Sequence, residues 1–165
     1  MERGHVDEDM RADYTGAVYG SLLAASVVAG TSPGKDPPTG AVISLLVLAT
    51  GLVFWMAHVY ARLVGERRHL LRLTWSQVRA VSRRERPLVE AALPPALAAM
   101  AGWALGLPDS VTAWMALTTA LAGQVTWATI AGIRAHLGTY LIVLAAVGNL
   151  LIGLLLVALK ALLAH

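Results

Sequence analysis

The sequence predicts an all-α protein, a polytopic bundle of about five transmembrane helices that forms a single membrane domain over residues 1–165. Hydrophobic residues make up 57% of the chain and charged residues only 14%, whereas about a quarter of a soluble domain is charged. The apolar residues are mostly Leu, Ala and Val, in long runs without the alternation expected of barrel strands. Runs of this length cross about 30 Å of hydrocarbon as helices.

Five stretches without Asp, Glu, Lys or Arg predict the spans. The third is the shortest, and Pro94 and Pro95 within it predict a kink or an unwound turn. A re-entrant segment is the alternative for this stretch. With their ends adjusted, the expected spans cover about 14–34, 37–61, 88–108, 110–133 and 137–159, and the third has Glu90 at its start.

The distribution of basic residues predicts the orientation. Eleven of the 13 Lys and Arg residues lie before the first span, in the segment 62–87 or at Arg134, whereas Lys35 and Lys160 fall on the opposite side. Because basic loops stay in the cytoplasm, we expect a multi-pass protein of the cell membrane with its N-terminus cytoplasmic and its C-terminus outside. The acidic stretch before the first span is unlike a secretory signal, so this helix is expected to remain.

The basic segment 62–87 joins the second and third spans. Leu71, Trp75 and Val78 recur in it at helical spacing, which predicts an Arg-rich amphipathic cytoplasmic helix. The simpler interpretation is a basic loop that only fixes topology. Anionic lipid headgroups, rather than nucleic acid, are the expected partner of charges beside apolar spans. The candidate lipid-binding residues are Arg67, Arg68, Arg72, Arg79, Arg83 and Arg84.

Polar side chains inside the spans are candidates for a pore or a polar packing face, because hydrocarbon offers them no partner. Thr112, Thr119 and Thr126 repeat every seven residues on the fourth span, with Gln124 among them. This stripe predicts close helix packing or the lining of a narrow hydrated path. In the second span, His58 predicts a proton-linked gate or, more simply, an interfacial hydrogen bond.

Small and amide residues mark candidate helix contacts. Gly16 and Gly20 form a GxxxG pair in the first span, and Asn149 precedes Gly153 by one turn in the fifth. Both pairs are typical of close helix packing or of contacts between subunits, and a homo-oligomer is expected.

The sequence contains no pattern that predicts catalysis or metal binding. Without Cys there is no disulfide and no thiolate metal site, and the His residues are scattered. HExxH does not occur, and the GxSxG match GTSPG at 30–34 leads into the short loop after the first span instead of joining a strand to a helix, so catalytic residues, a metal and a cofactor are not expected. An unfamiliar intramembrane enzyme acting on lipid is the third interpretation.

Two stretches carry a family resemblance. RADYTGAVYG at the first span and FWMAHVY at the second resemble the first-span signature and the Trp-x-x-His motif of the bacterial relatives of the lysosomal potassium channel. The resemblance matches Tyr14 and Thr15 to the Phe and Ser of that signature, and Trp55 and His58 to the second motif. It implies a homo-oligomeric cation channel with first-span residues facing the pore. Gly16 stands where that family has Asp, and five spans are predicted here instead of six.

The expected function is therefore an oligomeric ion channel or small-solute transporter. The alternative is a non-transporting membrane scaffold or accessory subunit that binds anionic lipid or a partner protein. A water-accessible path along the fourth span favours transport, whereas a dry, closely packed stripe favours the scaffold.

Overall fold

The computed structural model describes residues 2–31, 37–65 and 74–163, with side chains over 14–31, 37–65, 74–155, 157 and 158. Within these ranges the chain is helical and contains no strand, which confirms the all-α prediction. The helices are α1 (Glu2–Thr31), α2 (Gly40–Gly65), α3 (Trp75–Arg84), α4 (Arg86–Glu90), α5 (Leu93–Ala104), α6 (Asp109–Arg134) and α7 (Thr139–Leu163). By length and composition, α2 and α6 can cross a membrane, and α7 includes a shorter apolar helical stretch, Thr139–Leu155.

The helices α1 and α6 pack antiparallel. On α1, Tyr14 contacts Trp127 whereas a Cβ at Gly123 of α6 would lie 3.4 Å from Ser21, so the two helices run in opposite directions. The start of α1, the end of α2, α3, α4 and the α6–α7 turn consequently meet at one end of the bundle. We call it the Arg-rich end, because it carries every Arg whose side chain is described: Arg62, Arg79, Arg83, Arg84, Arg86 and Arg134.

The core is built from small residues, and large apolar residues lie outside it. Ala24, Ala99, Ala116 and Ala120 are almost fully buried between helices, with a few larger residues such as Ile43 among them. The opposite pattern holds on the surface, where these large side chains are 63–67% exposed: Leu45, Leu97, Trp114 and Leu155. Small side chains let helix backbones approach closely, which is typical of helices packed in lipid.

The third apolar stretch forms two helices. A turn at Ala91–Ala92 separates α4 from α5, and Pro94 and Pro95 occupy the first turn of α5, where a missing N–H leaves no helical bond unmade. The 12 residues of α5 extend over about 18 Å, less than a hydrocarbon core of about 30 Å. The prolines therefore mark a helix start, immediately after the interruption.

Two hairpin turns share one backbone design. After α5, Gly106 has φ 68°, and the N–H groups of Gly106 and Leu107 donate to the carbonyls of Trp103 and Gly102. After α6, His136 has φ 52°, and the N–H groups of His136 and Leu137 donate to the carbonyls of Ile133 and Gly132. Both are Schellman motifs, which ordinarily place Gly at the left-handed position.

Candidate functional site

A groove of about 910 Å³ opens at the Arg-rich end, between α1, α6 and α7. The part of its wall that continues along the helices is apolar, whereas the part nearest the α6–α7 turn is polar. The apolar wall includes Val18, Leu22, Ala128, Ala145 and Ile152.

The mouth of the groove is cationic and aromatic. The guanidinium carbon of Arg134 lies 5.7 Å from the centre of the Tyr14 ring, a cation–π contact. Tyr14 in turn stacks at a tilt on Trp127, with ring centres 6.3 Å apart. His136, in its left-handed conformation, lines the same mouth. The contacts fix Arg134 beside the opening while its side chain stays exposed to it.

Asn149 provides a polar group farther along the groove. Gln124 of α6 is fully buried, and its Nε2 donates to the Asn149 carbonyl oxygen at 2.7 Å. The Asn149 side chain donates through Nδ2 to the Ala145 carbonyl oxygen at 3.1 Å. A Cβ on Gly153 would lie 2.9 Å from Gln124 Oε1, so α7 approaches the amide closely there. Asn149 and Gly153 thus pack against α6 within the same chain.

The three Thr residues of the predicted stripe lie in different surroundings. Thr112 is fully buried between α2 and α5, and its hydroxyl has no hydrogen-bond partner among the described residues. Thr119 is partly buried and donates to the Met115 carbonyl at 2.7 Å, within its own helix. Thr126 is exposed. The neighbours of α6 change along its length, so equal spacing does not produce a single lined path within one chain.

Glycines in the first span meet α4. A Cβ on Gly20 would collide with the Leu88 carbonyl oxygen, and one on Gly16 would lie 3.5 Å from the Leu88 nitrogen. The GxxxG pair therefore brings α1 against the short helix α4. Tyr14 and Thr15 of the same helix line the groove.

The end of α2 holds α3 in place. Trp55 Nε1 donates to the Ser82 carbonyl at 3.1 Å, and Arg62 forms an ion pair with Glu85, whose side chain is only 7% exposed. His58 Nδ1 lies 3.0 Å from the Phe54 carbonyl, which can only accept, so Nδ1 carries a proton. The His58 ring also contacts Tyr19, with centres 5.5 Å apart. Trp55, His58 and Arg62 thus act at a junction between helices.

One side of α3 is an exposed basic ridge, which we define as Trp75, Arg79 and Arg83. These residues follow at four-residue intervals and share one helix face, while Val81 on the other face is buried. The helix begins with a capping box, in which the Thr74 N–H donates to Gln77 Oε1 at 3.0 Å. Arg84 is also exposed, whereas Arg67, Arg68, Arg72 and Leu71 lie outside the described residues.

Sequence reasoning missed the groove, the left-handed conformation of His136 and the buried Glu85. Arg134 was visible only as a topology signal, because nothing in the sequence shows that Tyr14 lies beside it. Glu85 lies in a run of Arg residues, and such a run predicts a solvent-exposed helix face and not a buried carboxylate. One signal in the sequence was available for the α6–α7 turn. The turn after α5 reads GLP and begins with a glycine, whereas the turn after α6 reads HLG and has a histidine at the same position.

No family model, curated protein or solved structure matches this chain. The resemblance to bacterial relatives of the lysosomal potassium channel therefore stays a prediction. Among the residues whose placement the structure describes, no three His, Asp or Glu side chains come together as a metal-binding group.

Proposed function

We propose that this chain is a multi-pass integral membrane protein that acts as a non-transporting scaffold and holds anionic lipid at its cytoplasmic face. The observation that carries the proposal is the reversed core, in which buried Ala residues such as Ala99 and Ala116 are surrounded by exposed Leu, Val and Trp. Water penalises such a surface, whereas lipid does not. The proposed crossings are the apolar part of α1, then α2, α4 with α5, α6 and α7.

The charge distribution supports a cytoplasmic Arg-rich end. All Arg side chains that the structure describes lie there, and the opposite end has Asp109 as its described acidic residue. In the proposed topology the α5–α6 turn faces outside and the α6–α7 turn faces the cytoplasm.

Close packing along α6 favours the scaffold over a pore within one chain. Thr112 is enclosed where a Cβ on Gly40 or Gly102 would come into contact with it. Gln124 is fully buried and donates to the Asn149 carbonyl, so this amide joins α6 to α7. The buried polar groups thereby join helices, as the scaffold alternative requires.

The basic ridge supplies the lipid-binding surface. Trp75 is 74% exposed beside Arg79 and Arg83, a combination suited to the headgroup region of an anionic leaflet. The Arg62–Glu85 ion pair and the Trp55–Ser82 hydrogen bond hold the ridge on the bundle. Each Arg near an anionic surface contributes about 1 kcal/mol, so a pair of them produces a measurable lipid preference.

The absence of Cys from the chain allows a direct topology test by single-cysteine labelling in intact cells. Leu105→Cys in the α5–α6 turn should react with a membrane-impermeant maleimide, whereas Gly138→Cys in the α6–α7 turn should react only after permeabilisation. Labelling of both positions from the same side would overturn the proposed crossing of α6.

The lipid-binding step is tested separately in nanodiscs that contain phosphatidylcholine with phosphatidylglycerol. Native mass spectrometry should show retained phosphatidylglycerol for the unmodified chain and a loss for the double variant Arg79→Gln with Arg83→Gln. Arg86→Gln is the matched control, because Arg86 is exposed but pairs with Glu90 at 2.5 Å outside the ridge. An equal loss of phosphatidylglycerol in the control variant would show that retention depends on general positive charge and not on the basic ridge.

Transport by an oligomer is the second candidate. It is favoured by the exposed Thr126 and the exposed large residues of α6, which a second copy can cover to enclose a shared path. Potassium, sodium, proton and chloride flux into liposomes, with protein-free and His58→Ala controls, tests it. Selective flux through correctly folded protein would replace the scaffold proposal.

A further inference from the structure

We propose that the groove between α1, α6 and α7 is a binding site for a single-chain anionic amphiphile, an acyl lipid with one carboxylate or phosphate headgroup. The headgroup lies at Arg134 and His136, and the acyl chain follows the apolar wall toward Leu22 and Ile152. This site is separate from the basic ridge on α3. The inference rests on the proposed membrane location, since the bilayer supplies the ligand.

The size and shape of the groove suit such a ligand. Its volume of about 910 Å³ falls within the range of roughly 300–1,000 Å³ found for small-molecule sites. Tyr14 and Leu22 are eight residues apart on α1, or about 12 Å along the helix. A wall of that length follows the first part of an extended palmitoyl chain, whose far end passes beyond Leu22.

The chemistry changes along the groove in the order that an amphiphile requires. At the mouth, Arg134 presents a guanidinium whose planar donors match a carboxylate or phosphate. The Tyr14 ring beneath it limits the positions that the guanidinium samples. Beyond the mouth, Val18, Ala128 and Ala145 present only apolar groups. Different parts of one surface thus bind the anionic headgroup and the apolar tail.

His136 gives an independent indication that the mouth is functional. A residue with a Cβ at φ 52° costs about 1–2 kcal/mol, and the corresponding turn after α5 avoids that cost with Gly106. His136 is exposed and lines the groove, so no packing in the described core requires it there. Backbone strain of this kind is typical of ligand sites. A histidine side chain supplies a second headgroup donor beside Arg134.

Asn149 sets the far limit of the apolar segment. Its partner Gln124 lies ten residues before Arg134 on α6, or about 15 Å along the helix axis. Because Asn149 lines the groove as a fixed polar group, an uninterrupted alkyl chain fits best when it ends before this residue or bends past Ile152. Chain length should therefore affect binding as well as head charge.

The test uses the full chain in phosphatidylcholine nanodiscs and a palmitate analogue with a diazirine in its chain as the photoreactive probe. Crosslinks, mapped by mass spectrometry, should fall on residues of the groove wall such as Val18 and Ile152. Palmitate and palmitoyl lysophosphatidate should compete about tenfold better than monopalmitoylglycerol, because a charge-assisted contact is lost in the neutral lipid. Inorganic phosphate should not compete, which separates a lipid ligand from a free anion.

Arg134→Gln should reduce the head-charge preference about tenfold, Arg134→Lys should retain part of it, and Arg86→Gln should leave it unchanged. If Arg134→Gln does not fold, Ala145→Phe fills the apolar wall without changing charge and should abolish crosslinking. Equal competition by neutral and anionic lipids, or competition by phosphate alone, would overturn the inference. If the groove fails this test while the cysteine-labelling pattern is as expected, the lipid site is overturned and the proposed membrane scaffold is not.

Discussion

The two hairpins that contain α6 use the same turn, but only one of them borders the groove. The α5–α6 hairpin closes tightly, with Thr112 enclosed beside Gly102, and its turn has Gly106 at the left-handed position. The α6–α7 hairpin leaves a groove against α1, and its turn has His136 at that position. A shared turn therefore does not determine what lies beside a hairpin; the neighbouring helices do. We call the α5–α6 pair the closed hairpin and the α6–α7 pair, which borders the candidate site, the open hairpin.

The largest expected effect comes from removing the close approach in the closed hairpin. In Gly102→Ala the new Cβ would lie 2.6 Å from Thr112 Oγ1 and 3.0 Å from Cγ2, so α5 and α6 must separate. Overpacking of this kind lowers the free energy of unfolding by about 1–3 kcal/mol. Unfolding in mixed detergent micelles, followed by circular dichroism, measures the change. An unchanged midpoint would show that the closed hairpin is looser than described.

Thr112→Val tests the polar content of the same hairpin. The Thr112 hydroxyl is buried without a partner in the described part of the chain, so replacing it with a methyl group should raise the free energy of unfolding by about 1 kcal/mol. The matched change is Thr119→Val, where the lost hydroxyl had a partner in its own helix. Destabilisation by Thr112→Val would instead indicate a hydrated hydroxyl, and would favour the transport candidate.

His136→Gly converts the open hairpin's turn to the residue that the closed one uses. Relief of the left-handed strain should raise the free energy of unfolding by about 1 kcal/mol, and Gly106→His should lower it by a similar amount. Both changes are read from the same unfolding curves. Weaker capture of the palmitate probe by the same variant would support His136 as a headgroup donor, and a lower free energy of unfolding would contradict the proposed strain.

The smallest expected effect is the counterpart of the first. A Cβ on Gly148 of α7 meets nothing within 4 Å, so Gly148→Ala introduces no clash. Ala is better than Gly inside a helix by about 0.5–1 kcal/mol, and the variant should be more stable by that amount. The same Gly→Ala change is thus expected to lower the free energy of unfolding at Gly102 and to raise it at Gly148. Destabilisation at Gly148 would reveal a contact on α7 that a second copy or a bound lipid supplies.

Helix positions were largely readable from the sequence because apolar runs and prolines act locally. The run ending before Arg134 became α6, and the prolines at 94 and 95 marked the start of α5. The stripe of Thr residues was read correctly as periodic, but its environment was not readable. Thr112 meets α5 and α2 whereas Thr126 is exposed, and which helix lies beside each turn of α6 is a non-local property.

Candidate binding residues divide in the same way. Arg79 and Arg83 could be found because they lie in a short amphipathic helix. The sequence placed Trp75 on the apolar face of that helix, away from the Arg residues, and this was wrong: Trp75 is exposed on the same face as Arg79 and Arg83. The pairing of Arg134 with Tyr14 joins residues 120 positions apart and depends on how α1 crosses α6. No local pattern encodes that crossing, so the groove could not be predicted.

By itself, the sequence determined an all-helical chain with an excess of apolar surface and a strongly uneven distribution of Arg residues. Composition and periodicity suffice for these properties, because they depend on single residues and their near neighbours. The tertiary structure decided that small residues such as Ala116 lie inside while Trp114 and Leu97 face outward, and that a groove lies between α1 and the α6–α7 hairpin. Helix packing determines both, since each backbone approach depends on side chains from two distant segments.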